Sequence, residues 1–278
     1  MSLLTDVERQ LAELRLAETD GAHLRTSVMT HVAWAPPQWA DTARRTLAGL
    51  DEQHPSRTIL LFPEPKRADA IDVGVSLRCF AIPGSTHTAC SEVIELRLGG
   101  RRVHVPGSVV QPLLISDLPT FCRWRGLPPW GAPELEQLVD ICDRLVVDSS
   151  EWRGLDAAYA KLEQLFDRAA VSDIAWGRSV AWRARIAALW PGIRSVERLS
   201  VTGPKADALL LAGWLRSRLK REVKLTHRAA AELERVAVDG EPVPAPPGGA
   251  LSPSDLLSAE LDAFARDPVY EAAVKAAH

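Results

Sequence analysis

Aromatic residues make up only 6% of this 278-residue chain, methionine occurs twice and cysteine four times. The cysteines, Cys79, Cys90, Cys122 and Cys142, are widely spaced and form no Cys-x-x-Cys pair, which fits buried thiols in a reducing compartment. No apolar run approaches the ~18 residues of a membrane-spanning helix, so a membrane partner is not expected. The first residues carry acids where a secretory signal has positive charge followed by an apolar stretch, so a cytoplasmic location is expected. A formal net charge of -3 gives no global reason to bind nucleic acid. The one basic run, Arg216, Arg218, Lys220, Arg221 and Lys224, follows an apolar helical segment, where cations complement a helix C-terminus. Gly-rich dinucleotide loops, a Walker loop, a His-Glu-x-x-His helix and a nucleophile elbow are all missing, so no cofactor is expected. His87 and Cys90 have metal-like spacing but lack a second matching pair, and no metal site is assigned.

What is present is the composition of an ordinary globular protein, 46% hydrophobic and 25% charged. Leu4, Val7, Leu11 and Leu14 form one amphipathic helical stripe behind a Thr5/Glu8 capping box. Val28, Thr30, Val32 and Trp34 alternate as a strand, and a helix is expected from Pro36 and Pro37 to about Leu50. Residues 58–62 read as a fully buried strand, and Val73, Val75, Leu77, Cys79 and Ala81 keep period two. Alternating runs at Ile94–Leu98 and Val103–Val105, joined by Gly99 and Gly100, predict a tight hairpin. Short strands are expected at Pro112–Asp117 and Leu145–Asp148 around a helix of about 132–143. Leu155 to Phe166 form a helical stripe. A second lobe should hold a Trp-rich helix from about Trp176 to Trp190, strands near 196–201 and Val223, and a helix over 204–219. The proline-rich stretch 241–249 reads as a stiff linker, and Ser252-Pro253 and Asp267-Pro268 each predict a capped terminal helix. The expected fold is α/β: a mixed, largely parallel sheet flanked by helices in residues 1–168, and a smaller α/β lobe in 169–278 carrying the linker and the terminal helices.

Three groups of residues invite a functional reading. Asp117 and Asp148 end neighbouring predicted strands, where ligands gather in open α/β sheets. Lys205 opens a predicted helix whose free N–H groups could hold an anion. Arg123, Trp124, Arg125 and Trp130 share a proline-bearing loop after a strand, and Trp and Arg are the residues most enriched in interface hot spots. Trp176, Arg178, Trp182 and Arg183 sit on one helical segment and form a second candidate contact, with internal cation–π packing as the plainer reading.

The order of several motifs resembles the OpcA family of glucose-6-phosphate dehydrogenase assembly proteins. These are His54-Pro55-Ser56-Arg57, the run from Ser108 to Pro119 leading to Trp124, Val147 to Ser150, Ser172 to Arg178 with Trp182-Arg183, Ala212 to Leu219, and Asp267 to Tyr270. The resemblance implies a noncatalytic protein that contacts glucose-6-phosphate dehydrogenase and promotes its active oligomer in the oxidative pentose phosphate pathway. The rival reading is a sugar-phosphate or nucleotide enzyme using the strand-end acids with Lys205. A combined reading has a sugar phosphate or NADP acting as an effector that tunes partner affinity.

Overall fold

The computed structural model describes residues 3–17, 23–24, 27–50, 53–81, 88–248 and 251–278, which fall into two compact units, Met1–Val146 and Val147–His278. The first unit opens with α1 (Leu3–Ala17), whose Val7 and Leu11 are fully buried, as the stripe requires. Its strands are β1 (His23–Leu24), β2 (Met29–Trp34), β3 (Ser56–Glu64), β4 (Ile71–Ala81), β5 (Thr88–Gly99), β6 (Thr120–Trp124) and β7 (Arg144–Val147). Helices α2 (Ala40–Ala48), α3 (Pro106–Val110) and α4 (Pro133–Ile141) lie between them in sequence. The strands run in the order β1-β5-β3-β2-β6-β7, every neighbour parallel, and β4 adds antiparallel to β5. A mixed, mostly parallel sheet results. All six residues of β2 and the first eight of β3 are buried, the signature of central parallel strands covered on both faces.

Four local expectations are corrected. The Gly99–Gly100 pair does not turn a hairpin. β5 ends at Gly99, residues 100–104 form a 3-10 turn, and a Cβ on Gly99 would lie 2.2 Å from the Ala68 carbonyl oxygen, so glycine is needed there for close backbone approach. Pro112–Asp117 is not a strand: Pro106 and Pro112 each sit at the start of a helical turn, where the missing N–H costs nothing, and Asp117 takes a left-handed φ of 67°. The strand falls instead at β6, which takes in Trp124 and removes it from the loop. Finally, Cys79 and Cys90 are not free thiols. They face each other in the β4/β5 register and are joined by a disulfide, their Cα atoms 4.1 Å apart. Antiparallel pairing turns a separation of 11 residues into direct opposition. Cys122 and Cys142 remain thiols, and a hydrogen bond from Cys142, then burial, push the Cys122 thiol well above its usual pKa.

The second unit contains α5 (Leu155–Glu163), β8 (Ala170–Asp173), α6 (Ile174–Arg178), α7 (Val180–Ala187), β9 (Arg198–Gly203), α8 (Lys205–Leu219), β10 (Lys224–Ala229), β11 (Arg235–Val238), β12 (Glu241–Pro242), α9 (Pro253–Leu261) and α10 (Pro268–Lys275). The helix expected from Trp176 to Trp190 is broken at Ser179 into α6 and α7. The start of the proline-rich stretch pairs with β11 as β12, which a proline tolerates on an edge. The second sheet runs β10-β9-β11-β12. One of its faces, with Leu199, Val201, Val236 and Val238, packs into a core with α8. α8 is buried nearly all round, Ala206 to Gly213 without a break, as a helix apolar on every face must be. Its far side meets α10 so closely that a Cβ on Gly213 would stand 2.1 Å from the Ala273 carbonyl oxygen.

The caps expected for the two terminal helices are present, whereas α1 begins at Leu3 and takes Thr5 inside the helix instead of at its cap. Ser252 forms a capping box with Asp255, and Asp267 accepts from Val269 and Tyr270 N–H to start α10. Helix α5 falls in the second unit.

Candidate functional site

The second unit gathers three carboxylates around one guanidinium. Asp148 follows β7, and its Oδ1 accepts from the Ser150 N–H at 3.1 Å and the Ser150 hydroxyl at 2.5 Å. Asp173 ends β8 and caps α6: its Oδ1 accepts from Ala175 N–H at 2.9 Å and from Ser149 N–H at 3.0 Å, and its Oδ2 accepts from the Tyr270 hydroxyl at 3.3 Å. Asp207 stands in the first turn of α8. Arg178, at the end of α6, links two of them, donating from Nε to Asp207 Oδ2 at 3.0 Å and from Nη2 to Asp148 Oδ1 at 3.2 Å. The Tyr159 hydroxyl lies 3.0 Å from that of Ser149.

Charge and burial conflict here. Asp173 and Asp207 are both 0% exposed, and Asp207 Oδ1 has no hydrogen-bond partner among the described residues. Burial, with the neighbouring Asp148 charge, raises Asp173 to about 6. Burial raises Asp207 to about 7, against the lowering pull of Arg178. Burial and Asp173 also hold the Tyr159 and Tyr270 phenols well above their usual pKa, so both stay neutral hydrogen-bonding groups. With three acids facing one cation, Asp173 and Asp207 titrate close to neutrality. The cluster can store or release a proton, but these two buried carboxyls are closed to a substrate.

A smaller wall of this unit is built by Trp176, whose indole N–H donates to Asp267 at 2.8 Å, and Arg183, whose guanidinium lies 3.3 Å from the Trp176 ring centroid. Arg183 also donates to the Trp176 carbonyl and the Ser179 hydroxyl, each at 2.6 Å. Burial lowers it to about 10, against the raising effect of Asp267 and Glu260.

The first unit has its own buried ion network. Arg57 on β3 donates to Glu92 on β5 at 2.7 Å, both side chains under 5% exposed, and also to the Leu113 carbonyl at 3.0 Å. Glu8 of α1 meets Arg57 at 3.2 Å and Arg15 of α1 meets Glu92, so the network fastens α1 to the sheet. On the adjacent strand β2, His31 is buried and its Nε2 has no hydrogen-bond partner among the described residues. Burial, then Arg123 and His54, drive it down to about 3 and keep it neutral.

The residues singled out in the sequence are distributed as follows. Trp124 is 2% exposed and stacks on Trp34, ring centroids 4.8 Å apart. Arg123 is buried and donates to the Trp124 carbonyl, and Arg125 lies over the Trp39 ring at 4.4 Å. Trp176 and Trp182 are each 6% exposed. Trp130, Arg178 and Arg183 are half-buried, leaving part of each at the surface. Asp117 is exposed in its turn and Lys205 is exposed at the first residue of α8, while Asp148 joins the carboxylate cluster. Asp117 belongs to the first unit and the other two to the second. His87 lies outside the described residues, among which no group of three His, Cys, Asp or Glu side chains is placed to hold a metal ion, and no helix is long and apolar enough to cross a membrane. Asp173 and Asp207 were missed. The available signal for Asp207 was an acid inside the otherwise apolar run 206–212.

These observations define a two-unit α/β protein in which each unit is organised by a buried ion network. Residues 48–164 match the family described as the glucose-6-phosphate dehydrogenase subunit N-terminal domain, and residues 169–274 match its C-terminal domain. The chain belongs to the OpcA family of glucose-6-phosphate dehydrogenase assembly proteins. It is similar to proteins provisionally named OxPP cycle protein OpcA. The Nostoc punctiforme relative is 27% identical over 229 residues, covering 74% of this chain and 49% of the relative. That of Synechococcus elongatus is 28% identical over 178 residues, covering 60% and 40%, and that of Synechocystis sp. is 26% identical over 215, covering 73% and 45%. The chain therefore spans about half the length of the curated relatives it matches. The two family matches meet between residues 164 and 169, and the compact units divide after Val146.

Proposed function

We propose that this chain is a noncatalytic cytoplasmic assembly factor and allosteric activator that binds glucose-6-phosphate dehydrogenase and promotes its active oligomer, supporting NADPH supply in the oxidative pentose phosphate pathway. The observation that carries this is the presence of both family domains, in order, over residues 48–164 and 169–274. The physical requirement is differential binding: a partner that prefers the active oligomer shifts the dehydrogenase population toward it, and no bond need be made or broken by this chain. The surface parts of Trp130, Arg178 and Arg183 are the contacts retained from the sequence-based candidates. Trp124, Trp176 and Trp182 are buried, and Trp176 carries the Arg183 guanidinium on its ring. A sugar phosphate or NADP could act as an effector through the same linkage.

One observation favours a second reading, an enzyme acting on a sugar phosphate or nucleotide: Asp207 at about 7 and Asp173 at about 6 sit in the range of general acids and bases. Their full burial opposes it. The two readings separate in one assay of purified chain and cognate dehydrogenase. The assembly reading expects no turnover by the chain alone, and a larger oligomer with higher specific activity when both are mixed. Turnover of a sugar phosphate by the chain alone would replace it with the enzyme reading.

A further inference from the structure

The second sheet buries one face and leaves the other open. On β9, Leu199 and Val201 point to the core while Arg198, Ser200 and Thr202 alternate outward. The parallel register sets Lys224 beside Arg198, Thr226 beside Ser200 and Arg228 beside Thr202. On the other flank, antiparallel β11 sets Arg235 beside Thr202 and Ala237 beside Ser200. Pro242 of β12 lies beside Ala237. The open face thus carries four cations, three hydroxyls, one alanine and one proline. Among these positions there is no acid and no aromatic ring.

All four cations are exposed, and none forms an ion pair within the described residues. They make two pairs: Arg198 with Lys224 at one end, and Arg228 with Arg235 flanking Thr202 at the other. Four residues along β9 separate the pairs, on the order of 13 Å. Like charges on adjacent strands oppose sheet formation. A lysine-bearing edge strand can be explained as protection against edge-to-edge pairing, and β10 is such an edge. That explanation does not reach Arg198, which lies on the interior strand β9; Arg235 stands on β11 beyond its short pairing with β12 at Ala237 and Val238. Two of the neighbouring acids are already engaged: Glu197 faces Arg221, and Asp239 accepts the N–H groups of Glu197 and Arg198.

The geometry points to this outer face of the β10-β9-β11-β12 sheet as a docking surface for an acidic protein surface, which on the assembly reading is an acidic patch of the dehydrogenase. Charge complementarity is the physical basis: the unpaired cations gain partners, and the hydroxyls of Ser200, Thr202 and Thr226 between them can accept and donate hydrogen bonds. A single-stranded nucleic acid fits less well, because such sites use aromatic platforms for base stacking and this face has none.

The test compares the wild-type full chain with R198E/K224E and R228E/R235E for binding to the cognate dehydrogenase at low and moderate salt, with a 20-nucleotide single-stranded oligonucleotide as the competing probe. Thermal midpoints confirm folding, and R228Q/R235Q provides a charge-neutral variant. The expected result is wild-type affinity for the dehydrogenase that falls with salt, at least a tenfold loss in each charge reversal, and a smaller loss in the glutamine variant. A wild-type chain that does not bind the dehydrogenase refutes the assembly reading and this surface with it. Wild-type binding that survives both reversals refutes the surface alone. Oligonucleotide binding tighter than dehydrogenase binding, and lost in the reversals, overturns the acidic-protein assignment in favour of nucleic acid.

Discussion

The substitution Asp207→Asn should flatten the pH dependence of stability. The folded carboxyl titrates at about 7 and the unfolded one at 3.8, so the folded state binds the proton more tightly. Stability from this group is therefore fully present at low pH and is lost as pH rises from about 4 through about 7. Between pH 5 and pH 8 the loss comes to roughly 2 to 3 kcal/mol. Asparagine has no proton to release. Its amide oxygen can still accept from Arg178 Nε, and its NH2 takes the position of the unpartnered Oδ1. The Asp207→Asn protein should match wild type near pH 5 and exceed it at pH 8. Urea unfolding at pH 5, 6, 7 and 8, followed by circular dichroism, measures the difference. Asp173, raised to about 6, contributes in the same direction and remains in both proteins, so only the difference between the two profiles is diagnostic. Parallel profiles would show that Asp207 does not hold a proton in the folded chain.

Arg57→Ala should destabilise the chain by about 3 kcal/mol or more, because it removes the buried cation that faces the buried Glu92 carboxylate, and thermal unfolding would register the loss. Gly213→Ala drives a Cβ against the Ala273 carbonyl and should cost about 1 to 3 kcal/mol, with limited proteolysis showing earlier release of α10. Trp124→Ala empties the site stacked on Trp34 and should cost about 3 to 5 kcal/mol, so any loss of partner binding in this variant must be compared with its thermal midpoint.

The elements legible in the sequence were those set by local chemistry. The α1 stripe, the buried run of β3, the period-two β4 and the Ser252 and Asp267 caps all follow from neighbouring residues. What failed depended on distant chain. Gly99 answers to Ala68 across the sheet, and Cys79 meets Cys90 only through hairpin register. Trp124 reads as a loop aromatic only if the strand lies over Pro112–Asp117, where Pro112 instead starts a helical turn and the strand follows at Thr120–Trp124. The carboxylate cluster was partly visible, since Asp148 and Arg178 were singled out for separate reasons. Their meeting required the end of β7 to come beside α6, with α8 bringing Asp207 to the same guanidinium, which no local pattern encodes. The basic face was hidden differently: its four cations are spread over residues 198 to 235 and become one patch only through strand pairing.

Mixing the purified chain with its cognate glucose-6-phosphate dehydrogenase, and following mass by sedimentation alongside initial rates, tests the proposed role most directly. A complex of the two, with the dehydrogenase shifted to a larger and more active oligomer and no turnover by the chain alone, is the predicted result. Dehydrogenase whose mass and rate are unchanged by an excess of the chain would contradict it.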